Sequence, residues 1–294
     1  MLAVASSLVS CHKGASFTST DKIKVVATTS MAADMARAIG GDQVEVISLM
    51  GPGVDPHYYK PTAGDVQRLS DADLIVYGGL HLEGRMTQVF ERLSDKSFSI
   101  GDQVDESFLI TKDGEHDPHI WHDPYIWSLA ANPLAKRFAS IRNDDDDAKF
   151  EDNGESTFEQ LLNFAFEINQ QIQKIPENSR VIVTAHDAFS YYGRRFGIEV
   201  VGIQGTNTTA EAGAQTLKSL ADMIAKRKIK AIFVESSVPR STVIALQEAV
   251  AARGWKVEIG GELFSDALGD PNTPEGTYAG MLRHNTKTIV EALK

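Results

Sequence analysis

The chain has 294 residues, enough for two domains of ordinary size, and 42% of them are hydrophobic and 23% charged, as in most globular proteins. The formal net charge of −11 argues against nucleic acid as a partner, because nucleic-acid binding requires a basic surface. No run reaches the ~18 consecutive apolar residues that a membrane-spanning helix needs.

Residues 1–21 are predicted to be the remnant of a secretion signal followed by a flexible tether. Within them, Leu8–Cys11 (LVSC) resembles a bacterial lipobox, in which cleavage before the cysteine leaves that cysteine lipidated. The segment has no basic region and is shorter than a complete signal peptide of ~15–30 residues, so we expect a trimmed start. The alternative is a frayed tail with an unmodified cysteine. Cys11 is the one cysteine of the sequence, so an intrachain disulfide is excluded.

Residues 22–147 are predicted to form an N-terminal α/β lobe. Apolar runs rich in β-branched residues alternate with helical patterns, and Gly or Pro residues separate them. The predicted strands are Ile23–Thr29, Val44–Met50, Leu74–Tyr77 and Ser97–Ile100. The predicted helices are Met31–Ile39, Thr62–Ser70 and Met86–Leu93. This order predicts a parallel sheet with helices on both faces.

Residues 148–176 are predicted to link two lobes through one long, stiff helix. Ser156–Ile175 contains neither Gly nor Pro, and its apolar residues recur at helical spacing. At about 1.5 Å per residue, this helix spans roughly 30 Å, the width of a small lobe. Pro176 ends it, and the acidic run Asp144–Asp147 is predicted to be a solvated loop that enters it.

Residues 177–294 repeat the plan of the first half and are predicted to form a C-terminal α/β lobe. The predicted strands are Arg180–Thr184, Val200–Ile203, Ala231–Val234 and Lys256–Ile259. The predicted helices are Ala188–Phe196, Ala210–Arg227 and Ser241–Arg253. The predicted fold class is therefore α/β, with two similar lobes that each contain a parallel sheet and are joined by one long rigid helix.

Four segments, far apart in the sequence, each present a metal ligand. The candidate ligands are His57 in DPH, His119 in DPHIW, His186 in TAHD and Asp266 in GELFSD. Three imidazoles and one carboxylate form a complete coordination set for Zn²⁺ or Mn²⁺. The spacing is too wide for a local metal-binding loop, so the whole fold must bring the four together, and we expect the site in a cleft.

Each ligand has an alternative interpretation when it is considered alone. A loop histidine such as His57 is usually solvated, and a histidine at a strand end such as His186 is more often a core residue. His116, His119 and His122 lie close together, so the residues alone do not say which of them binds. A lone aspartate after the Gly260–Gly261 turn is usually a cap.

Nearby carboxylates add further choices around the same segments. Glu262 is a rival to Asp266 as the fourth ligand, because both belong to the GELFSD segment. Asp117 and Asp123 flank the histidine cluster, and either can accept the second ring N–H of a ligating histidine.

The amino-acid sequences of these segments closely resemble those of the TroA-like solute-binding proteins of ABC importers for zinc and manganese, the cluster A-I family. The matching motifs are GPGVDPHYYKPTAGDV, DADLIVYGGLHLE, DPHIWHDP, VTAHDAFSYYGRRFG, AIFVESSVP and GGELFSDALG, which occur in the family's order. The resemblance implies that His57, His119, His186 and Asp266 are the metal ligands and that His122 is not. It also implies metal binding in the cleft between two α/β lobes.

The function implied by the resemblance is capture of a divalent ion, Zn²⁺ or Mn²⁺, and its delivery to a membrane ABC permease, without catalysis. The protein would be a periplasmic or cell-surface monomer. Zinc-uptake members often carry a long His-rich loop before DPHxW, and here Thr111–Asp117 is short. Many manganese members have glutamate at the third ligand, where this chain has His186. The first departure argues against a dedicated zinc-uptake protein, and the second argues against the most common manganese ligand set.

The main alternative is an enzyme, a zinc hydrolase or metallochelatase on a similar two-lobed fold. A catalytic zinc usually keeps three protein ligands and one water molecule, whereas four protein ligands favour a carrier. Glu262 and Glu83 are candidate general bases, but neither belongs to a motif such as HExxH. An adhesin-like surface protein is a third interpretation, and no apolar surface run supports it.

Overall fold

The computed structural model describes residues 22–112, 114–142, 147–210 and 212–294. Four strands of the N-terminal half are β1 (Ile23–Ala27), β2 (Val44–Ser48), β3 (Leu74–Tyr77) and β4 (Ser97–Ser99). They form one parallel sheet in the order β2-β1-β3-β4. At the centre of the sheet, Val25 pairs with Val46 on one side and Leu74 on the other. The continuous apolar runs of β1 and β3 agree with a sheet that is covered on both faces.

The helices of this half begin where the sequence supplies capping residues. They are α1 (Ser30–Gly40), α2 (Ala63–Asp71) and α3 (Thr87–Arg92). The Thr29 side chain accepts a hydrogen bond from the main-chain N–H of Ala32 at the start of α1. At the start of α2, Thr62 and Asp65 cap each other's main-chain N–H groups in a reciprocal capping box.

A connecting region that the sequence patterns did not predict in detail follows this sheet. Its elements are a short antiparallel hairpin of β5 (Thr111–Lys112) and β6 (Glu115–His116), then α4 (Pro124–Ser128) and α5 (Ala131–Arg142). The hairpin contacts the C-terminal half through Lys112, whose ammonium group pairs with Asp187 and donates a 2.6 Å hydrogen bond to Ser190.

The long helix α6 (Asp147–Ile172) begins earlier than predicted. Its expected start followed Gly154, because glycine weakens a helix interior. The structure keeps Gly154 inside the helix because α5 crosses α6 there, and a Cβ on Gly154 would lie 2.7 Å from the Cβ of Ala135. The loop predicted over residues 144–147 falls on residues 144–146, which lie outside the described residues, and on Asp147, the first residue of α6.

The C-terminal half again alternates strands and helices. Its strands are β7 (Val181–His186), β8 (Glu199–Gln204), β9 (Ala231–Glu235) and β10 (Glu258–Leu263). Its helices are α7 (Ser190–Phe196), α8 (Ala214–Arg227), α9 (Ser241–Ala251) and the unpredicted α10 (Tyr278–Leu293). The pairs β7–β8 and β9–β10 are parallel, and β7 lies beside β9.

The turn predicted at Gly260–Gly261 is wrong, because β10 runs through both glycines to Leu263. The register of β10 against β9 shifts between Ile259 and Glu262, as at a β-bulge. A Cβ on Gly260 would lie 2.7 Å from the Phe233 ring, so glycine serves here for close packing rather than for a turn.

One hydrophobic core joins the two halves of the chain. It contains Met31 and Ile39 of α1, Phe164 and Ile168 of α6, and Met281 of α10. Helix α6 packs against α1, α4 and α5 of the N-terminal half and against α7 and α10 of the C-terminal half. In the part of the chain that the structure describes, no helix is both long and apolar enough to cross a membrane.

Candidate metal centre

His57 lies in the loop that follows β2. Gly53, earlier in this loop, has a φ of 71°, a left-handed conformation that glycine adopts without strain. The Asp55 carboxylate accepts a 2.8 Å hydrogen bond from the main-chain N–H of His57 and a 2.7 Å bond from the Thr208 hydroxyl of the C-terminal half. These two bonds hold the loop against the opposite half and place the buried His57 ring inside the cleft.

His119 follows the hairpin and is completely buried. Asp117 Oδ1 accepts two hydrogen bonds from it, one from the main-chain N–H at 3.0 Å and one from ring Nδ1 at 2.7 Å. The Tyr191 hydroxyl donates to the main-chain oxygen of Asp117 at 2.8 Å and so ties this segment to α7. Because Nδ1 is engaged by the carboxylate, the neutral His119 ring carries its lone pair on Nε2.

His186 is the last residue of β7, so it lies at the strand's end rather than just beyond it. Its main-chain N–H donates to Glu235 Oε1 at 2.8 Å, and its ring Nδ1 lies 2.5 Å from Glu235 Oε2. Glu235 ends the neighbouring strand β9 and is buried. Glu235 was not among the predicted site residues, although an acid at the end of the apolar run AIFVE was a signal.

Asp266 lies three residues after the end of β10 and is also buried. Its Oδ2 accepts a 2.7 Å hydrogen bond from the Ser237 hydroxyl. The preceding main-chain oxygen, that of Ser265, accepts bonds from Trp121 Nε1 at 2.8 Å and His122 Nε2 at 3.0 Å. Asp266 Oδ1 has no hydrogen-bond partner among the described residues.

The structure brings these four predicted residues together into one buried group. Nε2 of His119 lies 3.3 Å from Nε2 of both His57 and His186. Asp266 Oδ1 lies 3.5 Å from Nε2 of His119 and 3.4 Å from Nε2 of His186, and all four donor atoms lie within 4.8 Å of one another. A tetrahedral Zn²⁺ with Zn–N bonds of about 2.0–2.1 Å separates its donors by roughly 3.3–3.4 Å. The donors of His119, His186 and Asp266 therefore form a triangle of the size that a tetrahedral ion requires, and Nε2 of His57 lies close enough to be the fourth donor to the same ion.

Burial and neighbouring charges move the pKa values of these groups in different directions. Burial lowers the pKa of His57 to about 3. Burial acts in the same direction on His186, but the Glu235 and Asp266 carboxylates outweigh it and raise the pKa of His186 well above its usual value. The carboxylates beside His119 likewise overcome burial and raise its pKa. Burial would raise the pKa of Asp266, but the two histidines hold it well below its usual range, so this carboxylate is ionised.

The other two histidines of the DPHIWHDP region lie outside the group of four. His122 is buried, with its ring 4.3 Å from that of Phe189, and burial lowers its pKa to about 3. Its bond to Ser265 O shows that it supports the loop that carries Asp266. His116 is half-buried in the hairpin, where Nδ1 lies 3.1 Å from the Thr111 hydroxyl.

The rival carboxylates also lie elsewhere. The Glu262 side chain is exposed. Glu83 is buried and accepts bonds from the Thr28 hydroxyl and from the main-chain N–H of Gly78. Asp123 caps α4 and pairs with Arg195, so only Asp117 of the two predicted acceptors contacts a histidine of the group.

An α/β chain with parallel sheets in both halves and a buried group of three histidines and one aspartate belongs to the class of extracytoplasmic solute-binding proteins. The chain is a member of the family described as zinc-uptake complex component A, periplasmic (ZnuA), whose model matches residues 25–292. The resemblance to TroA-like proteins inferred from the motifs is thereby confirmed.

Comparison with individual proteins agrees with this membership. The chain is 42% identical over 293 residues to the manganese-binding lipoprotein MntA of Bacillus subtilis, covering 98% of this chain and 95% of MntA. It is 44% identical over 274 residues to the zinc-binding protein TroA of Treponema pallidum, covering 92% and 88%. It is 30% identical to the manganese ABC transporter substrate-binding lipoprotein PsaA of Streptococcus pneumoniae over 300 residues, covering 97% and 94%.

The fold comparison gives the same result. The solved structure of the periplasmic zinc-binding protein TroA superposes with a TM-score of 0.90 and 44% sequence identity, and the match covers 92% of this chain and 99% of that one. The predicted α/β fold class is confirmed.

Proposed function

We propose that this protein captures a divalent transition-metal ion, Zn²⁺ or Mn²⁺, outside the cytoplasm and delivers it to an ABC permease for import. The ligands would be His57, His119, His186 and Asp266. The observation that carries the proposal is that the possible donor atoms of these four residues face one another. In three of the four, the other polar atom of the side chain contacts a neighbour: Asp117 for His119, Glu235 for His186 and Ser237 for Asp266.

This arrangement is unfavourable without a cation. The Nδ1 atoms of His119 and His186 both face carboxylates, so in the neutral rings both Nε2 atoms carry lone pairs. Two lone pairs at 3.3 Å repel each other, and a cation between them changes the repulsion into attraction. The Asp117, Glu235 and Asp266 carboxylates raise the pKa of these two rings against the effect of burial, so a proton can take the place of the cation when no metal is bound.

The donor set suits both ions named for the relatives. Imidazoles and a carboxylate bind Zn²⁺ and Mn²⁺, and the Irving–Williams order makes Zn²⁺ the more tightly bound ion in vitro. The spacing of 3.3 to 3.5 Å among the His119, His186 and Asp266 donor atoms supports binding of one small ion. We propose that the site prefers Zn²⁺ in direct competition, whichever ion the cell imports.

We propose that the protein works as a monomer in the periplasm or at the cell surface. We propose a lipid anchor on Cys11, which lies outside the described residues, because Leu8–Cys11 resembles a lipobox and the relatives MntA and PsaA are named lipoproteins. We also propose the lobe boundaries 22–147 and 177–294, with residues 148–176 as the link, so that ligands from both lobes close on the ion.

The enzyme alternative receives little support. MntA and TroA are named as metal-binding proteins and PsaA as a transporter substrate-binding lipoprotein. A hydrolase or metallochelatase would need an open metal position with a base beside it. Of the two candidate bases, Glu262 is exposed and Glu83 is held by Thr28 and Gly78. We propose that the chain has no catalytic role.

Elemental analysis tests the proposal. Metal-stripped protein is equilibrated with limiting, equal Zn²⁺ and Mn²⁺, desalted and analysed. We expect one retained ion per chain, mostly Zn²⁺, and loss of retention in His186→Ala. His116→Ala is the matched control, because this histidine lies outside the group of four. If the wild-type protein retains no stoichiometric metal, or if both variants lose it equally, the proposal is wrong.

A further inference from the structure

His57 is held by fewer contacts than the other three members of the buried group. The side chains of His119, His186 and Asp266 each contact a neighbouring side chain through the polar atom that faces away from the group. The His57 ring has one hydrogen-bond contact among the described residues, and that contact is with His119 inside the group. His57 is also 5% exposed, whereas the other three are at most 1% exposed. The position of its ring therefore depends on residues 51–58, the His57 loop.

The His57 loop is anchored to its own half just outside its two ends. Before the loop, the main-chain N–H of Met50 donates a 3.0 Å hydrogen bond to the main-chain oxygen of Thr28. After the loop, the Tyr59 hydroxyl donates a 2.8 Å hydrogen bond to Asp65. The loop can therefore move between two fixed points without disturbing the sheet below it.

The opposite half of the chain supplies the anchor in the middle of the loop. The hydroxyl of Thr208, a buried residue in the segment after β8, donates a 2.7 Å hydrogen bond to Asp55 Oδ2. Asp55 Oδ1 in turn accepts a 2.8 Å bond from the main-chain N–H of His57. Apart from the contact between the His57 and His119 rings, the bond from Thr208 is the one hydrogen bond that joins the His57 loop to another segment of the described chain. Thr208 thus acts on His57 through a single carboxylate.

The other ligands are carried by segments that buried hydrogen bonds join across the two halves. Trp121 Nε1 donates to the main-chain oxygen of Ser265 at 2.8 Å, and the Tyr191 hydroxyl donates to that of Asp117 at 2.8 Å. The loop side differs, because Thr208 and its carboxylate partner line a cavity of about 560 Å³. The His57 loop therefore has room to move where the rest of the site is braced.

We propose that Thr208 is a positioning residue that holds the His57 loop across the cleft and thereby limits how fast the metal ion leaves. His57 is the first ligand to detach, because its loop is the least supported part of the site. For this loop to move outwards, the hydrogen bond from Thr208 to Asp55 must break. The inference rests on the proposed function, because it assumes that His57 binds the ion.

The experiment compares three variants of the full chain. Thr208→Val removes the hydroxyl and keeps the shape of the side chain, Thr208→Ser keeps the hydroxyl, and Thr209→Val is the matched control at the exposed neighbouring threonine. Each protein is loaded with Zn²⁺ and mixed with excess chelator, and the rate of Zn²⁺ loss is followed by stopped-flow spectroscopy. The rate of Zn²⁺ association is measured separately with a zinc-sensitive dye.

We expect Thr208→Val to raise the rate of Zn²⁺ dissociation by about tenfold, the usual effect of losing one hydrogen bond to a charged group, without slowing association. Thr208→Ser and Thr209→Val should match the wild type. An unchanged dissociation rate in Thr208→Val, or an equal rise in Thr209→Val, would overturn the inference and leave the proposed function intact. Slower association in Thr208→Val would show damage to the site rather than release of the loop and would also overturn it. Failure of the wild-type protein to retain Zn²⁺ would instead refute the proposed function, and the inference with it.

Discussion

The two carboxylates that support the histidines allow a matched test of how the site works. Asp117 and Glu235 are 0% and 2% exposed, and each contacts both the main-chain N–H and the ring Nδ1 of one histidine. Replacing each by its amide removes one buried negative charge from the same surroundings. Asp117 and Glu235 differ in the number of carboxylate oxygen atoms that contact the histidine.

Asp117 uses a single oxygen for both contacts, and its Oδ2 has no hydrogen-bond partner among the described residues. In Asp117→Asn the amide oxygen can take over both contacts while the NH₂ group occupies the place of Oδ2. Glu235 accepts the main-chain N–H of His186 on Oε1, whereas its Oε2 lies 2.5 Å from ring Nδ1 as a charge contact without hydrogen-bond alignment. In Glu235→Gln the NH₂ group must face one of these donors.

The favourable orientation of the amide in Glu235→Gln would keep its oxygen on the main-chain N–H and donate its NH₂ group to Nδ1 of His186. The ring proton of His186 would then move to Nε2, which blocks coordination. We expect Glu235→Gln to weaken Zn²⁺ binding by about 10–100-fold and Asp117→Asn by less than about tenfold. Chelator competition at one pH and salt concentration measures both. Equal losses, or a larger loss for Asp117→Asn, would show that buried charge rather than the hydrogen-bond pattern decides the affinity.

Three further predictions concern the ligands, the pH and the packing of the long helix. If the binding free energy of roughly 10–16 kcal/mol for a four-ligand zinc site is shared equally among the ligands, His186→Ala should weaken Zn²⁺ binding about 100-fold or more. His122→Ala should weaken it less than about tenfold and should instead lower the stability of the protein in urea. The pKa of His186 is raised, so a proton on this ring competes with the metal at pH values above the usual histidine pKa of ~6.5. The metal affinity should therefore fall steadily when it is measured from roughly pH 8 to pH 6. An affinity that does not change with pH would contradict this prediction. Gly154→Ala should destabilise the protein by about 1–3 kcal/mol in urea unfolding through its clash with Ala135, although alanine usually stabilises a helix, whereas Gly84→Ala, with open space around it, should change little.

Local patterns predicted the strand and helix alternation because each element carries its own periodicity and its own stop signals. The run Leu74–Tyr77 was predicted with the bounds that the structure has, since Asp73 precedes this short apolar run and two glycines follow it. Gly154 and Gly260 misled the prediction, because each glycine serves a close contact with another element. Sequence near a glycine does not distinguish close packing from a turn.

The four residues of the buried group could be singled out from the sequence because each belongs to a distinctive segment at or after a strand. Their supports could not all be predicted. Asp117 lies two residues from His119, so local spacing indicated it. Glu235 and Ser237 are remote from His186 and Asp266 in sequence and reach them only because β9 lies between β7 and β10. Strand order is a property of the whole fold, and no single segment encodes it.

The continuous hydrophobic core has a thermodynamic consequence. Because α1, α6 and α10 share that core, separating the two halves would expose apolar surface of both, so we expect the chain to unfold in one cooperative transition. An ion held by residues from both halves is then coupled to this transition as a whole. At a free concentration 100 times its dissociation constant, it would stabilise the folded chain by about 2.7 kcal/mol. Metal binding at this one site should therefore raise the melting temperature of the entire molecule.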